Sequence, residues 1–193
     1  FHGHALDAFL QGMLVYNGFY FWMLCALAVL VQILSPSKWS GMVLTLLVFV
    51  AVLSLPSLGF EHLLYGFRIP HVVHSDMNGF GHYQLQTYTL IVYWGSFCAM
   101  LLAIGHLLYP RGHDASLRER LRSARARLTA PLLRGCTVAT LTFVSAGAFI
   151  FYNTNVLNEY VTLDDAQAAQ ARYELDHGTY RDAPAPSIVD PDL

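Results

Sequence analysis

Gly18-Phe-Tyr-Phe-Trp-Met-Leu-Cys-Ala-Leu-Ala-Val-Leu-Val-Gln-Ile-Leu34 carries no charge, and the longer stretch around it, Ala8–Ser37, carries none either. Those 30 residues would run roughly 45 Å as one helix, against a hydrocarbon core of about 30 Å. One straight span would overshoot. The Asn17-Gly18 pair supplies a break. The pattern therefore predicts an apolar or interfacial helix at about Leu6–Tyr16 and a first span over 18–34. Working outward, Ser35-Pro36-Ser37-Lys38 reads as a turn, because Pro has no N–H to give a continuing helix. A second span follows over 41–59. Pro56 near its far end is expected to kink or end it and to free the Val52 carbonyl. The third span covers 87–109 and stops at Pro110, and the fourth covers 132–152. The fold class is all-α: a polytopic membrane helical bundle of about four transmembrane helices with a polar, outward C-terminal tail. Residues 1–152 form the transmembrane domain, and 153–193 form a short extracytoplasmic helix and a Pro-rich linker.

Composition agrees with that pattern. Of the 193 residues, 55% are hydrophobic and only 12% are charged, about half the charged share of an ordinary soluble domain. The formal net charge is −2. A disordered chain, a nucleic-acid binder relying on bulk positive charge, and a water-soluble globule are all disfavoured by these values. The chain begins at Phe1, with no charged region preceding an apolar one and no cleavage site, so it is expected to be an internal segment of a longer protein. Cys25, Cys98 and Cys136 sit in apolar stretches without Cys-x-x-Cys spacing. They read as small lipid- or core-facing residues.

The connections differ in charge. Residues 35–40 and 111–134 hold Lys38 and seven arginines, whereas 60–86 and 153–193 hold only Arg68, Arg172 and Arg181. Positive loops stay on the cytoplasmic side. Loop 111–134 is thus expected in the cytoplasm, and loop 60–86 and the tail are expected outside it. The tail has eight acidic residues against two arginines. Thr162 followed by Asp164 and Asp165 marks a helix start, and Asp164–His177 is the expected extent.

Two segments hold candidate functional residues. In Ser116–Leu128, Leu117, Leu121, Ala124 and Leu128 recur at helical spacing among Arg118, Arg120, Arg122, Arg125 and Arg127. Such a helix would lie on the inner membrane face. Its arginines would anchor the topology on anionic headgroups or dock a cytoplasmic partner such as an ATPase subunit. In the outer loop, four histidines and two carboxylates fall between Glu61 and His82. His71, His74, Asp76 and His82 offer nitrogen and oxygen ligands of the kind zinc takes. The bland alternative is a surface loop whose histidines bond to backbone or water, with Asn78-Gly79 and Gly81 marking tight turns. Pro70 disfavours a helix that would align His71 and His74. A bis-histidine haem would need two histidines at one depth. His106 and His62 belong to opposite ends of their spans, so this segment is not expected to hold one. No His-Glu-x-x-His motif, Gly-x-Ser-x-Gly elbow or phosphate-binding loop occurs. The segment is therefore not read as an enzyme by itself.

Phe151-Tyr-Asn-Thr-Asn-Val-Leu-Asn-Glu-Tyr160, Ala171-Arg-Tyr-Glu174 and Ser75-Asp-Met-Asn-Gly-Phe-Gly-His82 resemble one bacterial family of large membrane proteins. Its members join an ABC-exporter-like permease portion to a periplasmic zinc aminopeptidase of the aminopeptidase N type. The resemblance runs from about Leu24 onward and corresponds to the last permease spans plus the linker. It implies an inner-membrane location, partner helices upstream or in a second copy, and a peptidase domain beyond this segment. Zinc and catalysis would belong to that downstream domain, with no catalytic or cofactor residue here.

The leading expectation is thus the membrane portion of a transport-type permease, with the lipid bilayer and a cytoplasmic ATPase as partners and no nucleic acid. A membrane anchor or sensor without transport is the alternative. A metal-handling or redox membrane protein using the histidine loop is the weaker third.

Overall fold

The computed structural model describes residues 6, 9–70, 75, 79–81, 83–109 and 117–178. Among these the chain is all-helical, and the only extended pairing is one isolated bridge between Ser75 and Gly79. It divides into two compact units, residues 1–158 and 159–193.

Helix α1 spans Gly18–Leu34, the range the apolar pattern marks. The expected break before it does not occur. Gln11–Asn17 forms a widened π turn that continues into α1, with Gly18 N–H donating to Met13 O five residues back. A Cβ added at Gly18 would lie 2.9 Å from that oxygen, so the glycine serves a close approach and not a chain reversal. Asn17 Nδ2 donates to Gly12 O at 2.9 Å and takes up a carbonyl in the shifted register. Gln11–Leu34 is therefore one apolar helix of 24 residues.

Helix α2, Lys38–Ser54, begins before the expected 41 because Ser37 and Ser40 cap it reciprocally. Each backbone N–H donates to the other's hydroxyl at 3.2 Å. Pro56 ends the α-helix and opens a 3-10 turn, Pro56–Leu58. The Val52 carbonyl is not left free, since Leu55 N–H reaches it at 3.4 Å. With 17 residues, α2 runs roughly 25 Å, short of a hydrocarbon core of about 30 Å.

Helix α3 is Gln84–Leu108, α4 is Leu117–Arg127 and α5 is Ala130–Phe151. Pro131 sits in the first turn of α5, where a missing N–H leaves no bond unmade. A second widened turn, Tyr152–Val156, extends α5. Among the described residues three helices are long and apolar enough to cross a membrane: Gln11–Leu34, Gln84–Leu108 and Ala130–Val156. In the second unit, α6 spans Leu163–His177. Thr162 Oγ1 accepts from Asp165 N–H at 3.2 Å, as the sequence signature leads one to expect.

Helix α3 is the hub of the first unit: α1 packs on it, α5 packs on it, and α2 returns along α1. Phe19 meets Gly95 and Ile33 meets Gly105, so α1 and α3 run parallel. Thr140 meets Met100, and Asn153 shares a cleft with Leu85 and Gln86 at the start of α3, so α5 runs antiparallel. Small residues set these distances. A Cβ on Gly105 would lie 3.1 Å from Ile33 Cδ1, and one on Gly147 would lie 3.0 Å from Tyr93 Cε2. Tyr93 stacks on Phe143 with centroids 4.4 Å apart. Met23, Leu90, Tyr93, Trp94, Leu101, Ile150 and the loop residue Phe67 form the core.

Two ends result. The starts of α1 and α3, the finish of α5 and the 60–70 loop share one end. The finishes of α1 and α3, helix α4 and the start of α5 share the other.

Candidate functional site

At the first end the 60–70 loop is fastened to α5 through His62. Leu64 N–H donates to His62 Nδ1 at 3.2 Å, so Nδ1 is the acceptor and Nε2 carries the hydrogen. That hydrogen is donated to Thr154 Oγ1 at 3.0 Å, while the Asn155 amide Nδ2, itself a donor, gives its hydrogen to the same Thr154 Oγ1 at 2.9 Å. Both partners stand on the widened turn Tyr152–Val156; its extra residue per turn brings them round toward the loop. Burial holds the His62 pKa below the ordinary histidine value, which favours the neutral ring this geometry requires. Thr154 Oγ1 donates onward to Ile150 O at 2.8 Å.

Phe67 makes the deeper attachment. Its ring is buried and stacks on Trp94 with centroids 4.8 Å apart. Its φ of +55° is unusual for a bulky residue and costs on the order of 1–3 kcal/mol. Burying a Phe ring contributes about as much as that strain costs, or more. The preceding Gly66, at φ +71°, adopts the same left-handed region without a Cβ penalty. Beside this attachment lies a cleft of about 270 Å³ lined by Leu63, Gln86, Thr89, Asn153, Thr154 and Asn158, among others. Apolar residues such as Leu85, Leu90 and Ile150 supply most of its wall and the polar ones are uncharged, so it suits a neutral ligand better than an ion.

The other end is built from arginine. Arg120 Nη1 donates to Ile33 O at 2.6 Å, and Arg127 Nη1 donates to Leu107 O at 3.0 Å and Tyr109 O at 2.7 Å. These carbonyls belong to the last turns of α1 and α3 or just follow them, where helical partners run out and the dipole is negative. Two of the five docking candidates are thus spent on helix ends. Arg118, Arg122 and Arg125 are exposed, and among the described residues they take no hydrogen bond or ion pair. Their spacing of four and three places them on one face of α4.

The proposed metal ligands His71, His74, Asp76 and His82 lie outside the described residues. Within that loop, Ser75 and Gly79 exchange backbone bonds of 3.0 and 2.7 Å, and Gly79 has φ +58°, in line with the tight turn read from Asn78-Gly79. His106 is exposed in the last turn of α3, at the opposite end from His62. The three cysteines are free. Between α1 and α2 an apolar groove of about 440 Å³ is lined by Phe21, Cys25, Ala28, Val31, Met42 and Phe49, among others.

Compared with family models, curated proteins and solved structures, the chain finds no match.

Sequence reasoning missed Phe67, the fastening role of His62 and the capping role of Arg120 and Arg127, which it marks only for docking. The run Asn153-Thr-Asn155 was a usable signal, because three uncharged polar side chains at the end of an apolar helix need partners. Nothing local paired it with His62, which lies 92 residues earlier.

Proposed function

We propose that this chain is a membrane-embedded part of a transport-type permease in a bacterial inner membrane. One observation carries the embedding: only 6% of the apolar window in Ala130–Val156 is buried within the chain. Val138, Leu141 and Val144 point outward from α5. A surface of that kind calls for lipid or for further helices, upstream or in a second copy. On this reading α2 is a fourth crossing, made with local bilayer thinning or flanking anchors such as Lys38 and Trp39. The arginine end faces the cytoplasm, where an ATPase subunit would act. The His62 end and the tail face outward, and a zinc aminopeptidase domain follows the linker. The permease and peptidase parts rest on the family resemblance of Ser75–His82 and Phe151–Tyr160.

A second reading, an anchor or sensor without transport, is favoured by the core. Among the described residues the buried side chains are apolar or aromatic apart from Ser35 and Thr87, a core that suits a holding role.

Topology is tested with the native cysteines changed to Ser and one cysteine installed by Ser123→Cys or Gln167→Cys. An impermeant maleimide is expected to label position 167 in intact spheroplasts and position 123 only after permeabilisation. The reverse pattern would overturn the orientation, and free labelling of both would overturn the embedding. The reading frame beyond Leu193 tests the fusion: a domain with His-Glu-x-x-His supports it, and an early stop codon removes it. Exchange of residues 1–158 for a foreign anchor then separates the two readings. Peptidase location and activity that survive, with no export defect, would favour the anchor.

A further inference from the structure

We infer that the outer face of α4 is a binding surface for anionic phospholipid headgroups, formed by Arg118, Arg122 and Arg125. The inference rests on the membrane-embedded reading and adds the partner to it. The capping bonds of Arg120 and Arg127 fix the height of α4. They tie it to Ile33 O, Leu107 O and Tyr109 O, where the apolar lengths of α1 and α3 finish. That level is where hydrocarbon gives way to headgroups in an embedded chain. The capping arginines and the three outer ones lie on different faces, since positions 120 and 127 are seven apart while 118, 122 and 125 share the spacing of four and three. Helix formation therefore divides five similar residues into two that hold the helix down and three left for something else.

The partner follows from charge and from the neighbouring leucines. Three guanidiniums with no partner among the described residues present planar donor forks, which suit phosphate oxygens. Leu121 and Leu128 are exposed beside them. An arginine face flanked by leucine is the pattern of a helix lying at the boundary between headgroups and acyl chains. Lys38 stands over the Trp39 ring at 5.4 Å at the start of α2, the same end of the bundle, and adds a cation and an interfacial aromatic at that level. An acidic protein surface would meet the arginines equally well, but it gives the leucines no apolar phase.

The test uses the full chain reconstituted in bilayers of phosphatidylcholine with a minor share of phosphatidylglycerol. Spin-labelled forms of the two lipids report which one is retained at the protein surface. Flotation and resistance to alkaline extraction are checked first, and a chain that fails to insert overturns the embedded reading and this inference together. For an inserted chain, a several-fold preference for phosphatidylglycerol is expected. It should fall toward parity in the triple variant Arg118→Gln, Arg122→Gln, Arg125→Gln, with a residue left by Lys38 and Arg134. A preference that is absent, or unchanged in the triple variant, overturns the inference alone. So does retention of an acidic protein at the triple site with no lipid preference. Should the triple variant not insert, salt applied to the native chain decides. Raising it from about 0.1 M to about 1 M shortens the Debye length from about 10 Å to about 3 Å. The preference must then collapse, and one that persists is not headgroup charge recognition.

Discussion

At one end of the bundle a loop is held by a buried ring and by neutral polar groups, His62 on Thr154, which Asn155 also bonds. At the other, two guanidiniums grip helix carbonyls while three more face outward. Both ends solve the same problem, since apolar helices finish there with backbone groups left over. The first end solves it by local distortion: two widened turns, Gln11–Asn17 and Tyr152–Val156, bring amides and hydroxyls into range. The second imports long charged side chains from a separate helix. The difference teaches that neutral chemistry makes the loop end dependent on packing, whereas charge makes the α4 end dependent on the surrounding medium.

The largest expected effect comes from removing the ring that fastens the loop. Phe67→Ala should destabilise the first unit by about 3–5 kcal/mol, the usual range for a buried aromatic truncated to Ala. Relief of the +55° φ offsets little of this, because Ala is also strained there. Unfolding in mixed micelles, followed by Trp fluorescence, would read the change directly. A loss under about 1 kcal/mol would show that the loop end does not depend on that ring.

Next in size is a contrast within α4. Arg127→Gln removes a charged donor from two carbonyls and should cost about 1 kcal/mol, while Arg122→Gln should stay within about 0.5 kcal/mol. Equal effects in the same unfolding assay would abolish the division of the arginines into capping and outward sets.

Much of this architecture is legible in the sequence, because long charge-free runs and prolines act locally. The range 18–34, the helix within 116–128 and the Thr162 cap all follow from patterns a few residues wide. Where local reading fell short, the cause was also local but ambiguous. Asn17-Gly18 has the composition of a break, yet it accommodates a widened turn whose Gly approaches Met13 O. The apolar run 41–59 misplaces both bounds of its helix, because Ser37 starts it early and Pro56 stops it. The attachments at both ends were hidden for another reason. His62 meets Thr154, and Arg120 meets Ile33 87 residues away. Contacts at such separations arise only once the helices have chosen neighbours, and that choice depends on Gly105, Gly147 and the rings they admit.

The smallest effect expected is one of acidity, and it sharpens the contrast because only the loop end should feel it. Burial lowers the His62 pKa below the ordinary value of 6.5. The unfolded or detached loop therefore takes up a proton first as pH falls below about 6.5. Stability contributed by this anchor is complete above that pH and declines as the pH drops, levelling off once the folded ring is also protonated. The cause is visible in the bonds: a hydrogen on Nδ1 would face the Leu64 N–H that now donates to it. Amide hydrogen exchange across Leu63–Tyr65 should accelerate, beyond the intrinsic pH effect, between about pH 7 and pH 5. Exchange in the last turns of α1 and α3 should not, because arginine keeps its charge throughout. Thr154→Val would remove the Nε2 acceptor and should loosen the loop even at neutral pH, leaving a weaker further response to acid. If acid loosened both ends alike, the response would be a general loss of structure, and the neutral character assigned to the His62 end would be wrong.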